Sequence, residues 1–430
     1  MKHFYKILFA LLCAHVYTSA VAMDAAAKVA LVGGTVIDLD GGKPLQDAVV
    51  LIDGERISAI GSSKDVSIAP GTEVIDVRNT WLIPGLMNMH VHLGLVFPGK
   101  NGAELASETE GELVLRMAHN ARQTLQAGIT TIRLTGSEKR GDIAVRKAIE
   151  QGHADGPRIF SCGQPVVITG GHGSEHGVAY NDGPYEVAKA ARLEISSGAS
   201  WVKILISGGI ATQGGDISEA LMTPEEIAAA IDAAHRFGAK VAAHSGSTAA
   251  TTVAVDAGVD SIEHGYFLDR AVLQKMKKRG TWLVPTMVVT QPASRPNYEA
   301  LSVPEWFLKR FETTGQAHWK VVKMAIEEGV NVALGTDWLP AEPNDGTIAT
   351  VREAEYYVAA GMTPLQALRA ATIEPARMLR ADGEIGSLKV GKLADIVIVD
   401  KDPTDDIKAL RQILFVMKGG HVYRNDIGKK

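Results

Sequence analysis

The sequence predicts an α/β protein: a closed parallel (β/α)8 barrel of the TIM type, accompanied by a small β domain built from both chain ends. Three observations predict it. Eight short apolar runs of β character alternate with Ala-rich stretches of helical length, which is the order a parallel barrel requires. Short β segments and tight turns fill residues 29–77, and the same texture returns after residue 391. The chain is 430 residues long, enough for one barrel of more than about 250 residues and a smaller companion. The division that follows is 1–22 signal peptide, 23–82 and 385–430 as the two parts of the β domain, and 83–384 as the barrel.

Met1–Ala22 carries Lys2 and Lys6, an apolar stretch from Ile7 to Val16, and Ala20-Val21-Ala22 in the small-x-small form of a cleavage site. This reads as a secretory signal, because the apolar stretch is too short for a stable bilayer-spanning helix of about twenty residues. A retained anchor is the alternative. A lipoprotein would use Cys13, but bulky Leu12 precedes it where a small residue is needed. The expected location is secreted or periplasmic, with no membrane attachment after cleavage. Loss of Cys13 leaves Cys162 alone, so the processed chain forms no internal disulfide and its stability rests on packing.

In the β domain, Asp53-Gly54 followed by Arg56-Ile57-Ser58-Ala59-Ile60 is a strong hairpin signal. Gly391–Val399 and Val416–Val422 supply the C-terminal part. The barrel strands are expected at Leu82–His92, Thr130–Leu134, Arg158–Cys162, Trp201–Ile206, Lys240–His244, Asp260–His264, Trp282–Pro285 and Asn331–Leu334. Leu113–Gln126, Pro184–Ser197, Thr223–Phe237 and Trp306–Glu328 are the clearest helices, the third opening on Thr223-Pro224-Glu225-Glu226, a good helix start. Periodicity alone leaves a doubly wound open sheet as the alternative. The formal charge of −5, with no long Lys/Arg run, lacks the footprint of a nucleic-acid binder. A small molecule is the expected partner.

The chemistry concentrates at strand ends. In His90-Val91-His92 the two imidazoles lie at i and i+2 and share a strand face. Alone, such a pair is a weak signal. His244 closes the fifth run, His264 the sixth, and Asp337 follows the eighth in Leu334-Gly335-Thr336-Asp337. Five ligand-type side chains at one end of four strands are hard to assign to packing, because uncompensated polar burial is costly, and together they read as a metal constellation. Lys203 lies between Val202 and Ile204 in an apolar strand, where burial favours a neutral amine. A neutral amine can take up carbon dioxide to give a carbamate able to bridge two cations. A lysine that snorkels to the rim or pairs with an acid is the alternative.

These residues resemble the amidohydrolase superfamily, in the subgroup of imidazolonepropionase-like proteins, Xaa-Pro dipeptidases and related aminoacyl amidases. The ordered motifs are Leu82–His92, Ala127-Gly128-Ile129-Thr130-Thr131, Gly170-Gly171-His172-Gly173, Val202-Lys203-Ile204, His244, Ile262-Glu263-His264-Gly265, Gly335-Thr336-Asp337 and Gly391-Lys392-Leu393-Ala394-Asp395. The resemblance implies a distorted (β/α)8 barrel with a small β-sandwich domain. It puts His90, His92 and Asp337 on one divalent metal, His244 and His264 on a second, and carboxylated Lys203 between them, with Zn the first candidate. It further implies hydroxide attack on an amide, Asp337 as general base then acid, and His172 donating to the substrate carbonyl. Relatives of this kind include hydrolases of ochratoxin A and often form homo-oligomers.

Two departures stand out. Several relatives have Arg-Asp where this chain has Arg133-Leu134, and some dipeptidase relatives carry Tyr where Ser245 follows His244. His176, Tyr180 and Tyr266 lie near the expected mouth, and no spacing selects among them. The leading expectation is a binuclear hydrolase of a dipeptide or N-acyl amino acid. A mononuclear hydrolase of cyclic amides or lactones and a periplasmic solute-binding protein without turnover are the alternatives.

Overall fold

The computed structural model describes residues 28–173 and 179–429. The signal segment and His176 lie outside those residues. The N-terminal texture forms five strands: β1 (Val29–Val36), β2 (Leu45–Asp53), β3 (Arg56–Ser62), β4 (Glu73–Asp76) and β5 (Trp81–Pro84). Asp53 and Arg56 pair across the expected Asp-Gly turn. Seven strands follow: β6 (Leu86–Val91), β7 (Ile129–Leu134), β8 (Arg158–Ser161), β9 (Trp201–Leu205), β10 (Lys240–Ser245), β11 (Ser261–His264) and β12 (Trp282–Val284). A two-residue hairpin of β13 (Pro343–Asn344) and β14 (Thr347–Ile348) precedes β15 (Ile396–Val399), β16 (Ile413–Lys418) and β17 (His421–Asn425).

The chain ends share one sheet in the order β17-β16-β15-β5-β1-β2-β3, with β4 also on β1. Strand β15 is buried on both faces, which is why it reads as an unbroken Ile-Val-Ile-Val. Ile396 and Ile398 join the domain's own core with Leu31, Val50 and Phe415. Val397 and Val399 join the core shared with the barrel, beside Leu125 and Ile129. Each such side chain contributes about 1.5–3 kcal/mol by leaving water.

The sequence reading treats Leu82–His92 as one barrel run, and the structure divides it at Gly85. Leu82 and Ile83 pair with β15 in the outer sheet, whereas β6 pairs with β7 in the barrel. The two chains cross so closely there that a Cβ on Gly85 would collide with the Thr130 side chain.

Strands β6-β7-β8 and β9-β10-β11-β12 are two parallel sheets. At one seam the Val166 amide donates to the Lys203 carbonyl at 2.8 Å. At the other, Asn331–Leu334 fills the eighth place by single bridges: the Leu283 amide donates to the Asn331 carbonyl at 2.8 Å and the Met89 amide to the Leu334 carbonyl at 2.7 Å. Alternation then sorts the side chains. Val202, Ile204 and Ile206 face the helices Gly183–Ser197 and Pro224–Arg236 through Val187, Ala191, Ile227 and Ile231. Thr223 and Glu226 cap the second of these helices reciprocally. Trp201 and Lys203 are left to face the barrel interior.

Candidate metal centre

The ends of the barrel strands converge on a cavity of about 180 Å³, lined by His90, His92, His172, Lys203, His244, His264 and Asp337. The structure therefore brings every sequence-predicted site residue to one place. Two of them get there through unusual backbone. Ser261 and Glu263 share the inward face of β11, so alternation would send His264 outward with Ile262. His264 instead adopts φ 67°, and Asp337 φ 52°, left-handed conformations that cost about 1–3 kcal/mol each and are held by the surrounding structure. The His264 ring consequently lies 4.8 Å from that of His90 and 4.6 Å from that of His244.

Acceptor-only partners fix which nitrogen carries the proton in His90, His92 and His244. His92 Nδ1 donates to the Gly136 carbonyl at 3.1 Å, and His244 Nε2 to the Gly208 carbonyl at 2.9 Å; a carbonyl only accepts, so those nitrogens carry the protons. His90 Nδ1 lies 2.7 Å from a Glu263 carboxylate oxygen. His264 Nδ1 lies 2.7 Å from the Thr286 hydroxyl. His90 Nε2, His92 Nε2 and His244 Nδ1 are left with lone pairs, and the His264 nitrogen nearest Asp337 is Nδ1, at 4.0 Å. His90 Nε2 and His92 Nε2 stand 3.2 and 3.0 Å from the same Asp337 oxygen. Ligand atoms of His90, His264 and Asp337 lie within 4.8 Å of one another.

Charge states agree with that picture. Burial pushes the His90, His264 and His244 imidazoles down, the last to about 3, so they are neutral at physiological pH. Burial also pulls the Lys203 amine down, against the attraction of Glu263 and Asp337. Neutral imidazole lone pairs aimed at a carboxylate repel unless a cation lies between them. The set of imidazole nitrogens, one carboxylate and an amine shifted toward neutrality thus fits a divalent ion such as Zn, Mn, Co or Ni.

His172 sits against this group, its ring 4.3 Å from that of His244, with Nδ1 bonded to the Thr212 hydroxyl. A Cβ on Gly209 would occupy the His172 ring position, so the glycine makes room for it. Tyr266 lies flat on His264, ring centroids 5.0 Å apart and 10° from parallel, and lines the cavity. Tyr180 is exposed, bridged to Val167. Leu95, Val96, Phe97, Ile210, Tyr298 and Phe307 give the same cavity an apolar lining.

Sequence reasoning passed over Glu263 and Arg133. Both are charged residues set in apolar strand runs, the same signal that singled out Lys203. Asn88 was also missed: its amide bonds the Thr336 and Thr350 hydroxyls, and its carbonyl oxygen accepts from the His90 and Thr336 amides, tying the segments of His90 and Asp337 together.

The amidohydrolase family model matches residues 81–423. The chain is 29% identical to ochratoxinase of Aspergillus niger over 445 residues, spanning 93% of this chain and 87% of that one. The crystal structure of the A. niger enzyme superposes with a TM-score of 0.80 at 27% identity, covering 94% and 96% of the two chains. A Xaa-Pro dipeptidase with methionine bound in its active site superposes at 0.84 with 31% identity, covering 93% and 100%. On the extent of the family match and of these likenesses, the chain belongs to the amidohydrolase family and is a hydrolase of amide bonds.

Proposed function

We propose that the chain is a binuclear metal-dependent amidohydrolase that cleaves the amide of a dipeptide or N-acyl amino acid bearing a bulky apolar group, with ochratoxin A among the candidate substrates. The observation that carries this reading is the meeting of the His90 and His92 Nε2 lone pairs at one Asp337 oxygen, in a cavity that Lys203, His244 and His264 also line. His90, His92 and Asp337 would hold one ion, His244 and His264 the other, with Lys203 as its carbamate between them. Divalent ions at these donors supply an activated water and a Lewis acid for the scissile carbonyl.

The chain's own residues do the rest. Asp337, ionised and beside His90 and His92, accepts the proton of the attacking water and returns it to the departing amine. With the Thr212 hydroxyl donating to its Nδ1, His172 would donate from Nε2–H to the carbonyl oxygen as charge develops there. The wall of Phe97, Ile210, Tyr298 and Phe307 excludes water and receives the apolar group. The expected setting is secreted or periplasmic. Metal analysis with a turnover screen of N-acyl amino acids and dipeptides, ochratoxin A included, tests the reading. Inertness of metal-replete protein across that panel would count against it.

A mononuclear reading has its own support, because His90, His264 and Asp337 form a compact three-donor group. One ion per chain and an unmodified Lys203 by intact mass would favour it.

A further inference from the structure

Beneath the donors lies a second charged layer. Arg133 and Glu263 are both at 0% exposure. The guanidinium donates from Nη2 to the two Glu263 carboxylate oxygens at 2.7 and 2.8 Å, from Nη1 to Ser261 Oγ at 2.9 Å, and from Nε to the Met89 carbonyl at 2.7 Å. It also lies 4.4 Å from the centroid of the Trp201 ring. Ser261 Oγ donates to Glu263 Oε1 at 2.5 Å. The carboxylate is thereby held in one orientation, with Oε2 turned to His90 Nδ1 at 2.7 Å.

We propose that Arg133 is a positioning residue for the metal centre. By clamping Glu263 it commits His90 to the Nδ1–H tautomer and aims the Nε2 lone pair at the ion. Carboxylates behind a ligating histidine have this effect generally; here the carboxylate is itself locked from behind by a buried cation. Stability gives no competing explanation, because apolar side chains of similar volume often replace a buried ion pair without loss. The inference rests on metal binding at His90.

The test combines metal-free wild type with two variants. Long-range 1H–15N correlation on the wild type should report His90 as Nδ1–H; the Nε2–H form would overturn the proposal without any variant. Arg133→Met/Glu263→Leu removes both charges together, and Glu263→Gln changes the shape least. Each should keep a cooperative melt yet bind one zinc equivalent about 10–100-fold more weakly in chelator competition, as loss of such a carboxylate does elsewhere, with the second equivalent unchanged. Folded variants that bind both equivalents like the wild type would overturn the proposal alone. Wild type that binds no divalent ion would overturn the metal reading with it.

Discussion

His92 and Asp337 face each other lone pair to lone pair: Nε2 is 3.0 Å from the carboxylate oxygen while Nδ1 spends its proton on the Gly136 carbonyl. That contact is repulsive until a cation enters. Metal removal should therefore destabilise the fold. An ion present at a hundred times its Kd adds about 2.7 kcal/mol. Dialysis against a chelator should lower the melting temperature and added zinc should restore it; an unchanged melt would contradict the assignment.

Replacing Asp337 by Asn keeps the shape and removes the proposed proton acceptor. Turnover should fall by about 10²–10⁴-fold, the usual span of general acid–base catalysis, with metal content by mass spectrometry largely retained. A near-normal rate would remove Asp337 from the proton path.

Lys203→Ala is expected to lose metal as well as turnover. A short carboxylic acid fits the vacated volume and offers the same two oxygens, so added acetate or propionate should return part of both. Intact mass of the wild type should show the carbon dioxide adduct at mildly basic pH.

Gly209→Ala probes the seat of His172 from the backbone side. The new methyl collides with the imidazole, and Gly209 is not among the left-handed glycines, so the melt should change little. kcat/KM should fall by about 10²-fold or more, the scale for losing one donor to a developing oxyanion. Adding His172→Ala should cost nothing further, because the two changes remove the same contact.

Glu353 gives a pH signature of its own. Burial raises its carboxyl to about 8 from an ordinary value of 4.5, although the Met287 and Val288 amides donate to it at 2.8 Å. The folded state therefore keeps a proton that the unfolded state releases, and stability falls as pH rises from about 4.5 to about 8, by up to about 1.4 kcal/mol per unit. Glu353→Gln resembles the neutral acid, so the variant should match the wild type near pH 4.5 and become steadily more stable than it across that window in urea titrations. A constant difference would show that Glu353 does not titrate there.

The candidate ligands at the strand ends were legible because polar side chains at the ends of apolar runs are costly without a purpose. Lys203 was legible by the same reasoning one turn of alternation deeper. Arg133 and Glu263 obeyed that rule too, but their meaning depends on pairing across the barrel, from β7 to β11, and no local pattern reports such a contact. The division at Gly85 was hidden for a related reason: a run buried in two successive sheets has the same apolar texture as one long strand. His264 shows a third limit, since its inward position comes from a left-handed backbone that simple alternation does not foresee.

The pairing of β5 with β15 also has a consequence for how the chain is made. Strands from the first hundred residues have no partner on one edge until the last ones leave the ribosome. Through synthesis that edge is a template for other chains, and closing it is a slow, long-range step. Truncation within the last three strands should therefore yield aggregation, even though every proposed ligand would still be present in the shortened chain.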